Sequence, residues 1–303
     1  MKLRFNVENK CQPDPFVFED EGKFYLYVTG IEGVEAYESD ALLGCWEYKG
    51  IVTKFSQGID FWAPSVIRYQ DKYYMYVSCE NEEKLQVMRV AVADSPLGPF
   101  EGEKRLYDQF SIDSHVVQTE AGLFLFLAQN RYEGERWGTR VFVDRLLDPW
   151  TPENAPVEKI SPTCDEEFFT PQCAPERKWH TVEGPFWFEE DGWQYLMYSG
   201  GCYMDDTYHI GYAAAKSDET DLTKVEFIKH TDGGKFAPVL IKDDIEEGTG
   251  HHSVIKHNGR YYAIYHGRDN IPGATEEYKE KRTARICRLI VADGKITAER
   301  INE

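Results

Sequence analysis

The sequence predicts an all-β protein, a single five-bladed β-propeller over residues 1–303, and three observations predict it. A hairpin pattern recurs five times, aromatic residues make up 14% of the chain, and helix-length amphipathic runs are scarce. Each copy is a short apolar strand, a polar turn carrying Gly, Asp or Asn, and then an aromatic strand.

The first copy is DPFVFEDEGKFYLYV from Asp14, and the second is APSVIRYQDKYYMYV from Ala63. The third, DSHVVQTEAGLFLFL, starts at Asp113, the fourth, EGPFWFEEDGWQYLMYS, at Glu183, and the fifth, HHSVIKHNGRYYAIYH, at His251. Further short strands lie between them, among them LQVMRVAVADS, TRVFVDRL and YHIGYAAAKS. Starts about 50 to 70 residues apart leave room for four strands per unit, the arithmetic of a propeller blade. A two-sheet sandwich would also give many short strands, but not this recurrent hairpin.

Composition narrows the function. A formal net charge of −19 disfavours nucleic acid, anionic membrane surfaces and strongly acidic polysaccharides, because neutralising phosphates takes clusters of Lys and Arg. The same acidity also serves plain solubility. The seven cysteines include no CxxC pair and no His-rich metal spacing, so neither zinc nor a redox dithiol is expected. Free thiols fit a reducing compartment. MKLRFNVENK has no apolar leader core, and no stretch approaches the roughly 18 apolar residues of a membrane span. The expectation is a cytoplasmic protein.

In a propeller the first strand of each blade lies nearest the axis, so the starts of those strands converge at one end of the channel. This sequence places there Asp14, the pair Trp62 and Ala63, Asp113, Glu183, and the pair His251 and His252. Cleaving a glycosidic bond takes one protonated carboxyl and one ionised carboxylate. A third acidic group nearby keeps the acid protonated, since like charges resist joint ionisation. Each residue also has a plainer reading. Asp14 suits a turn before Pro15, Glu183 a solvated loop before Gly184, and Asp113 an acceptor for backbone N–H groups.

Five motifs in order, QPDPFV, FWAPSV, SIDSHVV, TVEGPFWF and GTGHHSV, resemble glycoside hydrolase family 43 over roughly residues 11 to 295. The resemblance implies a five-bladed propeller acting on arabinose- and xylose-containing saccharides with inversion of configuration. It implies that Asp14 is the general base, Glu183 the general acid, and Asp113 the group that raises the acid's pKa. Inversion calls for carboxyls about 6.5–9.5 Å apart, leaving room for a water. Trp62 would stack on a sugar, or else plug the core. His251 resembles a histidine facing a central cation, often calcium. His252 is an alternative at that place or a substrate contact. KRTARICRLIVADG resembles the family's closing segment, whose arginine reaches the sugar; counting back from Asp293 and Gly294 gives Arg282, with Arg285 close behind and Val291 where a tryptophan is common.

An intracellular single domain suggests an exo-acting enzyme on short oligosaccharides: an α-L-arabinofuranosidase, or alternatively a β-xylosidase. A non-catalytic carbohydrate-binding propeller would not need all three acids. A fructosidase would carry a WMNDPNG-like start, and a mannoside phosphorylase an Arg/His phosphate cluster; neither is present.

Overall fold

The computed structural model describes residues 1–169 and 178–301, and nearly all regular structure in it is strand. The five repeats are five antiparallel hairpins. Their first strands are Phe16–Asp20, Ile59–Tyr69, Ile112–Thr119, Trp179–Glu190 and Glu246–His257. Their partners are Lys23–Val28, Lys72–Glu80, Gly122–Arg131, Trp193–Gly200 and Arg260–Asp269. Two outer strands complete each blade, in simple up-and-down order. Blades 3 and 4 also join edge to edge, through a short parallel pairing of Gly138 with His180 and Thr139 with Thr181.

The first strands contact one another in the sequence 1–2–3–4–5 and back to 1. At the closing point the Ser253 hydroxyl donates to the carbonyl of Pro15 and accepts from the backbone N–H of Val17, both at 2.9 Å. The chain's start reinforces this closure. Leu3 and Met1 pair with Ala284 and Ile286 of blade 5, whereas Arg4–Phe5 runs parallel to the outermost strand of blade 1, Cys45–Ile51.

The core is divided into five clusters, one between each pair of neighbouring blades. This division explains why the second strand of each hairpin reads as an unbroken apolar run. In blade 1, Phe24, Leu26 and Val28 face blade 5, while Tyr25 and Tyr27 face blade 2. Alternating side chains of one strand are thus buried on both faces. Each such side chain stabilises the ring by about 1.5–3 kcal/mol relative to exposure.

One backbone feature repeats with the blades. Asp14, Ala63, Asp113, Gly184 and His251 all have left-handed φ, between 43° and 61°. In blades 2 to 5 this residue lies within a break of ladder register, that is, a β-bulge. For the four non-glycine members the conformation costs about 1–2 kcal/mol each. Such strain persists only where packing over-determines it, and it gathers at functional sites. The phase differs from the one expected by one residue in blade 4: Gly184, not Glu183, is the equivalent of Asp14 and Asp113. Glu183 therefore corresponds to Trp62.

Candidate active site

The five left-handed residues gather around a cavity of about 630 Å³ whose walls come from all five blades. Asp14, Asp113, Glu183, Trp62, His251 and Arg282 all line it. Trp62 stands on its wall with 38% of its surface exposed, so it is no core plug. His252 does not line this cavity but borders a small neighbouring void that Asp14, Asp113 and His251 also reach. One residue past the bulge, alternation along the strand turns its side chain away from the cavity, into this axial void, walled also by prolines and by Phe16 and Phe186. Both of its ring nitrogens are buried without a partner among the described residues. Arg285, the neighbouring alternative to Arg282, belongs to a buried ion network instead, 2.9 Å from each of Glu246 and Asp269.

Asp14 sits beside one cation and two imidazoles. Arg282 Nη1 is 3.2 Å from its Oδ1, and His251 Nδ1 is 3.6 Å from the same atom. His266 Nδ1 lies 3.1 Å from both Oδ1 and the backbone nitrogen of Asp14, so a protonated Nδ1 serves the carboxylate and an unprotonated one accepts the amide. The Thr29 hydroxyl donates to Oδ2 at 2.6 Å while accepting from the N–H of Ala63, which ties blade 1 to blade 2. Burial alone would raise the proton affinity of Asp14. The charge of Arg282 and the histidines outweigh it and hold the carboxyl well below its usual range.

Glu183 experiences the opposite. Its burial, helped by the negative charge of Asp14, pushes its pKa up to about 7, against the Tyr208 hydroxyl that donates to Oε1 at 2.7 Å. Asp113 is raised as well, by burial and then by the charges of Glu183 and Asp14, although the N–H of Gly184 donates to its Oδ2 at 2.9 Å. The two carboxyls titrate as a pair, and their mutual repulsion keeps a proton on one of them. At neutral pH the cavity therefore holds an ionised Asp14 beside a proton-bearing Asp113–Glu183 pair.

Asp113, Glu183 and His251 bring one ligand atom each within 4.8 Å of one another, the geometry of a metal-binding group. Calcium takes six to eight oxygens. Here one oxygen of each carboxyl is already engaged, by Tyr208 and by Gly184. The group supplies two carboxyls and an imidazole, fewer oxygens than a calcium shell takes.

Several supporting residues escape a reading of the sequence: Thr29, Tyr203, Tyr208 and His266. Tyr203 lies under Arg282, with the guanidinium carbon 4.2 Å from the ring centre. Tyr208 did leave a trace. A Cβ on Gly250, in the GTGHHSV motif, would stand 2.1 Å from its ring, so only glycine fits there.

Comparison with known proteins agrees with this geometry. The model for "Glycosyl hydrolases family 43" matches residues 6–296. A "Xylosidase/arabinosidase" of Bacteroides ovatus is 22% identical, with 97% of this chain and 96% of that protein covered. An "Extracellular exo-alpha-(1->5)-L-arabinofuranosidase" of Streptomyces avermitilis is 23% identical, covering 84% of this chain and 54% of the relative. The crystal structure of a thermostable family-43 glycoside hydrolase superposes with a TM-score of 0.80 at 28% identity, covering 97% of this chain and 95% of the other. With a family match over nearly its whole length and a ring of five blades around a carboxyl-lined cavity, this chain belongs to glycosyl hydrolases family 43.

Proposed function

We propose that the protein is an exo-acting α-L-arabinofuranosidase working on short arabinose-containing oligosaccharides with inversion of configuration. The observation that carries the reading is the opposed protonation of two carboxyls in one cavity. Pairs of titratable groups pushed apart by their environments mark an acid and a base. Asp14, kept ionised by Arg282, takes a proton from the attacking water. Glu183 delivers its proton to the departing glycosidic oxygen as the bond to the anomeric carbon breaks. Asp113 repels a second negative charge beside it and so keeps Glu183 loaded. Trp62 offers an aromatic face to the sugar.

Walls contributed by every blade support a pocket that takes a chain end rather than an open groove. The names of the Bacteroides and Streptomyces relatives support arabinose as the sugar. The first of them also favours a second reading, a β-xylosidase of the same family. No step in this chemistry needs a cation. The cysteines among the described residues are free thiols, which supports a reducing, cytoplasmic setting; Cys173 lies outside those residues. A panel of p-nitrophenyl glycosides tests the sugar: fastest turnover is expected on α-L-arabinofuranoside, and a preference for β-D-xyloside would replace the first reading with the second. Following the fresh anomer by NMR tests inversion.

A further inference from the structure

We infer that Arg268, which touches neither the cavity nor any carboxyl lining it, is a positioning residue that sets both partners of the acid–base pair; this rests on the reading of Asp14 and Glu183 above. Arg268 is the last residue but one of the second strand of blade 5 and is 1% exposed. Its guanidinium gathers three segments. Nε donates to Glu247 Oε1 at 2.9 Å, at the head of blade 5's first strand. Nη1 donates to the carbonyl of Tyr203 at 2.5 Å and to that of Lys279 at 3.1 Å. Nη2 donates to the carbonyl of Asp205 at 3.2 Å.

Those carbonyls belong to the two loops that deliver the partners of the proposed acid and base. The segment 201–208 carries Tyr203, which lies under Arg282, and Tyr208, which bonds Glu183. The segment 270–282 carries the short helix Glu276–Lys279 and then Arg282, which faces Asp14. The ends of these loops are tied by single backbone bonds, such as the Gln12 N–H donating to the carbonyl of Arg282 at 2.8 Å, and the shared buried cation holds their middles together. Only a planar guanidinium can meet four acceptors spread over three segments. The ammonium of lysine offers three donors from a single atom and would leave buried carbonyls unpaired. Gly248 closes the arrangement from behind. It has φ +59°, and a Cβ on it would stand 2.5 Å from Arg268 Nη1 and 3.0 Å from the carbonyl oxygen of Tyr203.

The test compares Arg268→Lys with Arg285→Lys. Arg285 is equally buried in the same blade but bonds Glu246 and Asp269 rather than either loop. Arg268→Lys is expected to lower kcat about 10- to 100-fold, the cost of a displacement near 1 Å. It should also move the acidic limb of the kcat/KM profile upward, because Arg282 no longer sits squarely on Asp14. Arg285→Lys is expected to lower Tm and leave that limb in place. Gly248→Ala, which pushes on the same guanidinium, should move the limb in the same direction, and it decides the matter if Arg268→Lys does not fold. A variant of Arg268 or Gly248 that loses Tm alone, with kcat and the limb unchanged, overturns the inference. Asp14→Asn separates the two levels: wild-type rates there would remove the reading of the site itself, whereas an inactive Asp14→Asn beside an unmoved limb in Arg268→Lys removes only the role of Arg268.

Discussion

Replacing Arg282 by Met tests the electrostatics of the cavity most directly. The methionine keeps an apolar stem against Tyr203 and deletes the charge 3.2 Å from Asp14 Oδ1. Since both charges are spread over several atoms, an effective separation of about 4 Å is a fair measure, and at an effective dielectric near 20 it corresponds to roughly 4 kcal/mol. At about 1.4 kcal/mol per pH unit this is a ceiling of about 3 units on the rise in the pKa of Asp14. Thr29 and the two histidines remain to stabilise the carboxylate, so the rise should fall short of that ceiling. The sign follows from the state required. Asp14 must be ionised to act, its folded pKa is depressed, and raising it makes activity disappear at a higher pH as the solution is acidified. The acidic limb of the kcat/KM profile is therefore expected to climb toward neutrality, measured on an aryl glycoside from pH 3 to 9. A limb that stays where it was in the parent enzyme refutes the idea that Arg282 sets the ionisation of Asp14.

The remaining expectations concern other parts of the cavity. Asp113→Asn removes a carboxyl that shares the pair's proton, so the alkaline limb, set near the value of about 7 for Glu183, should fall; no movement in pH titration would remove Asp113 as the modulator. Glu183→Ala should lose about 10²–10⁴-fold on natural oligosaccharides and far less on aryl glycosides, whose leaving group departs without a proton; equal losses on both would reassign the acid. Gly250→Ala should cost activity and stability together, because its Cβ would collide with the ring of Tyr208, and unchanged melting and kinetics would refute that packing account. Excess chelator should leave both limbs and the melting curve in place, and a loss restored by calcium would assign the His251 position to a metal after all.

The blade count was legible because each hairpin must bury both faces of its second strand, which leaves an aromatic run after a turn in every copy. Four of the five turns also share a pair of left-handed residues: Glu21–Gly22, Gln70–Asp71, Asp191–Gly192 and Asn258–Gly259. The phase in blade 4 was not legible. The repeated feature is a dihedral angle, occupied in turn by Asp, Ala, Asp, Gly and His, and no residue type marks it. His252 illustrates the same limit, since whether it faces the cavity or the axis depends on which side of the bulge alternation resumes. Thr29, Tyr203 and Tyr208 come from connections between strands, whose path over the cavity no hydrophobic period records. His266, in the second strand of blade 5, reads as one more polar interruption in an apolar run until the fold brings it against Asp14.

The repeat also accounts for how one ring makes two unlike carboxyls. Symmetry places the left-handed residues about the axis and favours none of them, so the difference must enter from outside the repeat. Among the described residues, Lys10 and Arg282 are the two full cations on the cavity wall, and Lys10 is neutralised 2.8 Å from Glu35. Of these two, Arg282 is left to choose a partner. It arrives from the loop of blade 5, and ring closure makes blade 1 the neighbour of blade 5. The guanidinium therefore falls on Asp14 and lies farther from the pair in blades 3 and 4. Ionisation of one acid and protonation of the other thus both follow from where the chain closes on itself. A charge carried on the loops of blade 2 or 3 would have loaded the opposite carboxyl.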